Sequence, residues 1–383
     1  MALRYILFDD ITEQHLRGLI ENKAAESLDI DYKRQTYGGK DSDRKEFLAD
    51  VSSFANAGGG DIVIGMAEKE GVPIAIAPFT EDADKERRRL EQMARDGIEP
   101  RIIGLAVRIV PVSGGVVLVV RIPKSYNPPH RVAFQGAKRF YARSSGGRYE
   151  PNVEELRNLF LATPHLHERI RAFRMERIAR ILARETPVPL FTYRNRFFVL
   201  HVVPYSAFGM GQALVLEQAM HSLQFLAPLG SEFPSGQRFN FDGFIALTNP
   251  DKDAPAQRAY CQVFRSGAVE NVAALDARSV ISTQKLSVWV KDYASKHARA
   301  LGKCGAAPPY AVLVSLLGMR GVRFGLYRSV MQEYTLPADR DHYHFAEGVF
   351  ETLPRDDPEA RAALRPTLHH MASLMGHAHS TIA

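Results

Sequence analysis

The sequence predicts an α/β (α+β) protein built as two mixed domains joined by a basic helix, and three observations predict it. Helical-period segments alternate along the chain with short apolar or β-branched runs. The 383 residues exceed the roughly 100–200 expected of one domain. The character changes at Thr186-Pro187-Val188-Pro189, beyond which aromatic and β-branched strands begin. The expected division is residues 1–163, a basic connector helix over 164–186, and an α/β domain over 187–383.

A strand at Tyr5–Phe8 precedes a helix carrying His15, Leu16, Leu19 and Ile20 at helical spacing, with Thr12 as its cap. The segment Asp31-Tyr32-Lys33 is extended, so Asp31 and Lys33 project to one face and Tyr32 to the other. An amphipathic helix over 45–56 runs into Gly58-Gly59-Gly60 and an apolar strand, Ile62-Val63-Ile64. A hairpin around Glu68–Gly71, a charged helix over 84–93, and strands over 101–110 and 115–122 follow. A last strand, Arg139–Arg143, precedes a helix capped by Asn152 with Glu155 three residues on. Thr163-Pro164 predicts a break before the basic helix. Beyond 186, a helix is expected over 214–226, strands over 239–247 and 259–264, a helix over 278–301 and a strand pair over 310–326.

A net charge of +6 is compatible with a nucleic-acid partner. Cys261 and Cys304 stand alone in their segments, too few for a disulfide framework or a thiolate metal site. No apolar run nears the ~20 residues that span a bilayer, and the opening MALRYILFDD has no signal-peptide pattern. The expected location is the cytoplasm, without a membrane partner.

Glu26, Asp31 and Lys33 form the first candidate site. Phosphodiester cleavage needs a hard cation such as Mg²⁺ or Mn²⁺, which prefers converging carboxylates. A neighbouring lysine can orient the water or stabilise developing charge. Glu68, just past the Ile62–Gly65 run, is the expected third acid, with Asp61 as its substitute. The same pattern also describes an ordinary surface ion pair, and both readings stand at this point. The triple glycine follows a helix and precedes a strand, the reverse of a phosphate loop, so it reads as a helix stop and gives no support to ATP binding. Two basic surfaces are nucleic-acid candidates. One combines Lys138, Arg139, Arg143 and Arg148 with Phe140, Tyr141 and Tyr149, with Arg34 as a further nucleic-acid candidate; the other is the connector-helix face containing Arg174 and Arg177. A solvated linker helix and a charge-protected strand edge are the plainer alternatives. The C-terminal His369, His370, His377 and His379 have no carboxylate or cysteine close in sequence, so a metal site is not assigned to them.

Glu26, Asp31-Tyr32-Lys33, FLADVSSFANAGGGDIVIG and FYARSSGG together resemble the Schlafen AlbA-like domain over about a third of the chain. The resemblance implies a mixed-sheet N-terminal domain. It also implies, from the nuclease members, a divalent-metal-dependent endoribonuclease acting on structured RNA, notably transfer RNA, with stress or phage defence as a setting. Carried over, Glu26, Asp31 and Glu68 bind the Mg or Mn ion and Lys33 completes the catalytic set. Asp31 stands where glutamate is common in the family. A non-catalytic nucleic-acid-binding protein or transcriptional regulator is the alternative, and an ATP-binding protein the weakest. The region beyond 186 could select substrate, dimerise or bind a regulator, so a homodimer is among the allowed assemblies.

Overall fold

The structure is a computed structural model. It describes residues 3, 6, 8–191, 194–208, 214–249, 256–275, 280–328, 331–334 and 337–375. The chain divides into two compact units, Met1–His165 and Leu166–Ala383. The class is α+β.

In the first unit, α1 (Glu13–Glu21) is followed by β1 (Ile30–Lys33), α2 (Asp41–Asn56) and β2 (Gly60–Ile64). The hairpin β3 (Met66–Lys69) and β4 (Val72–Ile76), α3 (Ala83–Gly97), β5 (Ile98–Glu99), β6 (Ala106–Val112) and β7 (Gly115–Ile122) come next. Four short strands close the unit: β8 (Arg131–Val132), β9 (Arg139–Phe140), β10 (Ala142–Ser144) and β11 (Gly147–Tyr149). The main sheet has the order β1-β2-β7-β6 and is mixed: β1 and β2 are parallel, the other pairs antiparallel. The parallel pair requires a crossover, and α2 supplies it.

Side-chain alternation then sorts the core. Ile62, Ile64, Leu118 and Val120 pack against Phe47, Leu48, Val51 and Phe54 of α2. Ile30, Tyr32, Val63, Val117 and Val119 pack on the opposite side with Leu16 and Leu19 of α1. Thr12 sits at the N-cap of α1. The expected strand at Tyr5–Phe8 falls partly outside the described residues, and Phe8–Asp10 is a 3₁₀ turn.

The glycines end α2 and launch β2. Gly59 has φ +74°, and a Cβ there would lie 2.5 Å from the Lys124 backbone nitrogen. Gly59→Ala is therefore expected to lower the unfolding free energy by about 2–4 kcal/mol, combining left-handed strain with a backbone clash. Gly58→Ala, whose Cβ meets nothing within 4 Å, should change it by less than about 0.5 kcal/mol. Denaturant unfolding of both variants makes the comparison.

Helix α4 (Val153–Leu182) runs through Pro164 without the expected break, with the unit boundary inside it. Proline removes one intrahelical bond, but Ile170, Ile178 and Ile181 beyond it are buried, and that packing holds the later turns. From Leu166 the helix belongs to the second unit, where Ile178 and Ile181 enter the core.

The second unit continues with β12 (Phe197–Pro204), α5 (Glu217–Met220), β13 (Gly236–Asn240), β14 (Gly243–Leu247), β15 (Ala259–Phe264) and β16 (Val269–Ala274). It ends with β17 (Val280–Ser282), α6 (Thr283–Lys303), β18 (Tyr310–Leu317), β19 (Arg323–Arg328), β20 (Met331–Tyr334), β21 (His342–His344), β22 (Gly348–Phe350) and α7 (Asp357–Ala372). Its main sheet has the order β13-β14-β15-β16-β12-β18-β21, with β22 also on β18, and every neighbouring pair is antiparallel. Val290, Ala294 and Leu301 of α6 and Leu364 of α7 share one core with this sheet, while Ile178 and Ile181 of α4 join the other.

Three expectations need correction here. The run 239–247 is two strands, because Phe241-Asp242 supplies a turn and the Gly243 N–H donates to Asn240 Oδ1 at 2.8 Å. The helix over 214–226 is reduced to α5 and a 3₁₀ turn. Strands β18 and β19 are not paired with each other; β19 lies in a small sheet with β17 and β20. Among the described residues no helix is long and apolar enough to cross a membrane.

Candidate functional site

Asp31 and Lys33 lie on the face of β1 that looks toward α2, with Lys33 Nζ 3.0 Å from Asp31 Oδ1. Tyr32 projects to the other side, where its hydroxyl donates to the Ala24 carbonyl at 2.6 Å. Strand β1 is at the sheet edge, and Glu26 uses that edge. Its Oε1 accepts the Tyr32 N–H at 2.9 Å, and its own N–H donates to the Gly71 carbonyl at 2.7 Å. The Glu26 carboxyl is thereby set beside that of Asp31.

Three residues complete the site. Asp50, buried on α2, has Oδ2 at 3.9 Å from Lys33 Nζ and accepts the Tyr37 hydroxyl at 2.8 Å. Arg148 Nη1 donates to Asp50 Oδ1 at 2.6 Å. Arg143 Nη2 donates to Asp31 Oδ2 at 2.8 Å, its Nε donates to the Ser27 carbonyl at 3.2 Å, and its guanidinium lies 4.0 Å from the Phe54 ring centroid. Three carboxylates thus face three cations. Asp31 Oδ1 is buried, with the Lys33 ammonium 3.0 Å away as its partner.

The electrostatics separate the acids. Burial raises the Glu26 carboxyl above its ordinary value, with the Asp31 charge adding to the rise and the Tyr32 N–H opposing it. Burial would raise Asp31 as well, but Lys33 and Arg143 outweigh it and hold that carboxyl below the usual range. Asp50 is raised by burial despite Arg148 and Lys33. Lys33 is raised: burial alone would lower it, and Asp31 and Asp50 more than compensate. A raised carboxyl next to a lowered one is a recurring arrangement in acid–base sites.

The two third-acid candidates are placed differently: Glu68 bonds Gly71, whose carbonyl accepts the Glu26 N–H, whereas Asp61 turns to the other sheet face. Glu68 is exposed on β3 and its Oε2 accepts the Gly71 N–H at 2.6 Å, which closes its own hairpin turn. Asp61 is buried on the opposite sheet face in a two-pronged ion pair with Arg121, at 2.8 and 3.0 Å. Among the described residues, no three His, Cys, Asp or Glu side chains are grouped to hold a metal ion.

Two carboxylates still suit a hard cation, because Mg²⁺ characteristically takes one or two from protein and the rest of its shell from water and phosphate. Asp31, set beside Glu26, is the carboxylate that could take that role. The other candidate cations are unequal. Arg34, Lys138 and Arg139 are exposed, Arg139 being paired with Glu150. Arg143 belongs to the acid cluster instead. Arg174 is half-buried and donates to the Phe345 carbonyl at 3.2 Å. Arg177 is buried, with Nε and Nη2 each 2.9 Å from Glu270, so it is no part of an exposed basic face. His369 and His370 lie in α7; His377 and His379 fall outside the described residues.

Sequence reasoning missed Asp50 and the structural duty of Asn56. The signal for both was a polar residue inside a helical run that is buried from Phe47 to Asn56. Asn56 Nδ2 donates to the His130 and Tyr141 carbonyls at 2.8 and 2.9 Å, and its Oδ1 accepts the His130 N–H at 2.7 Å. It ties α2 to the chain just before β8 and β10.

Residues 26–152 match the family model for Schlafen, AlbA_2, and the first unit thus carries a Schlafen AlbA-like domain. No curated protein matches the chain. Among solved structures, the chain is similar to the N-terminal domain of a RecG-related protein, named for an ATP-dependent DNA helicase, from Nitrosomonas europaea. That match has 21% identity and a TM-score of 0.27, covering 36% of this chain and 92% of that one. The DIP2311 protein of Corynebacterium diphtheriae matches at 16% identity and a TM-score of 0.28, covering 40% of this chain and 32% of that one.

Proposed function

We propose that the protein acts on nucleic acid, and that the Glu26–Asp31–Lys33 face cleaves a phosphodiester of structured RNA, transfer RNA being the favoured substrate. The observation that carries this reading is Asp31: a buried carboxylate on a sheet edge, set beside a second acid and 3.0 Å from a lysine. A bound Mg²⁺ or Mn²⁺ would neutralise phosphate charge and lower the pKa of an attacking water. Glu26 and Asp31 would hold that cation. Lys33 would steady the developing negative charge, and Asp50, 3.9 Å away, offers it a second counter-charge. Arg143 fixes Asp31 from behind, so the carboxylate does not need to be ordered during reaction. Exposed Arg34, Lys138 and Arg139 suit contact with the RNA backbone.

The test incubates the full chain with transfer RNA and Mn²⁺. Cleavage should stop with EDTA and in Glu26→Ala, and cleavage that persists in both would reject the assignment. A second reading, binding without cleavage, is favoured by the matching of three acids to three cations within the site. It predicts salt-sensitive binding without product, unchanged by Glu26→Ala.

A further inference from the structure

The two hairpin turns at one end of the C-terminal sheet build an open groove of about 500 Å³, lined by Phe241, Asp242, Phe264, Arg265 and Ser266. Its volume is in the range of small-ligand clefts. Phe241 is 92% exposed at the β13–β14 turn. The ring stands on a tethered backbone. The Arg265 N–H donates to the Asp242 carbonyl at 2.9 Å, and Arg265 Nε donates to the Phe241 carbonyl at 3.0 Å. Phe264 is backed in turn. Phe173 meets it edge-on at 6.3 Å between centroids, and the Arg177 guanidinium lies 4.8 Å from its centroid, itself locked by Glu270. The Phe264 ring is thus held in place before any ligand arrives, while Phe241 is fixed at its backbone.

We propose that this groove binds an unpaired nucleobase of an RNA strand. Phe241 and Phe264 are the stacking surfaces, Arg265 meets the adjoining phosphate, and Asp242 and Ser266 face the polar edge of the base. A base carries donors and acceptors around a flat apolar face, which matches aromatic surfaces flanked by Arg265, Asp242 and Ser266. Stacking on held aromatic rings is tolerant of sequence, so the groove would favour loops and single strands over duplex. The inference rests on the nucleic-acid reading above but not on the acids at Asp31.

The experiment measures binding of a short labelled single-stranded RNA, and of the blunt duplex of the same length, to the full chain in EDTA. Phe241→Ala should fold normally because the ring is exposed. It should weaken single-strand binding by about 5- to 100-fold and leave duplex binding unchanged, with Phe241→Trp restoring it. Equal effects on both RNAs, or none on either, overturn the proposal. So does a dimer in sedimentation that Phe241→Ala disperses without changing RNA affinity, which would mark a protein interface. If the wild type binds duplex or transfer RNA but not the single strand, the groove proposal fails and the nucleic-acid reading stands. If it binds none of these RNAs, the nucleic-acid reading itself falls, and this proposal with it.

Discussion

Asp31→Asn is expected to slow RNA cleavage by at least about 100-fold while the protein remains folded. Asparagine is nearly the same shape and can still accept the Arg143 hydrogen bond, now 2.8 Å long. It loses the charge that balances Lys33 at 3.0 Å and that would hold a divalent cation. Arg143 would then be buried without a full counter-charge, at a cost of about 1–3 kcal/mol that denaturant unfolding can read separately. Asp50→Asn is the control. Asp50 is the more distant partner of Lys33 and is not one of the proposed cation ligands, so its loss should slow cleavage far less. Equal cleavage by wild type and Asp31→Asn at saturating Mn²⁺ would rule the site out.

Glu270→Gln is expected to destabilise the C-terminal unit by about 3–5 kcal/mol, since it strands the Arg177 charge in the sheet core. Glu270 is fully buried and accepts from Arg177 twice and from the Tyr260 hydroxyl at 2.7 Å, with His201 Nε2 at 3.1 Å. The single tryptophan, Trp289 on α6, reports the unfolding of that unit. Replacing both partners by apolar residues, Arg177→Met with Glu270→Leu, should be much milder than the single change. Additive losses would show that the pair does not act as a unit.

The same group sets a pH dependence. Burial works to raise the Glu270 carboxyl, but hydrogen bonds from Arg177 and His201 outweigh it and lower it from 4.5 to about 2. A depressed folded-state value means stability that is complete above the unfolded value and lost as pH falls through the folded one. The contribution, about 3 kcal/mol, should disappear between about pH 4.5 and 2 in the wild type and be absent from Glu270→Gln.

Much of the site's local geometry was legible in the sequence. Strand alternation put Asp31 and Lys33 on one side and Tyr32 on the other, and the order helix, glycines, strand marked a stop, as the positive φ of Gly59 shows. Those properties depend on a few neighbouring residues, and period and steric limits fix them. The place of Asp50 was not legible: it reaches Lys33 from the helix above, whereas Glu68 closes the turn at Gly71 beside Glu26 and Asp61 turns to the other sheet face.

The charge balance of the site was equally hidden. Arg143 and Arg148 read as an exposed basic patch, yet Arg143 closes on Asp31 across 112 residues of chain and Arg148 on Asp50 across 98. Arg177 likewise belongs to a helical stripe of arginines and is drawn inward by a glutamate 93 residues away. The sequence by itself determined which side chains share a face of β1, where α2 stops, and that acids and arginines are abundant near the site. Only the tertiary structure decided which arginine neutralises which acid, and so which charges are left to meet a ligand. A charge buried by packing must be paired where it is buried, and the partner is chosen by proximity in space rather than in the chain.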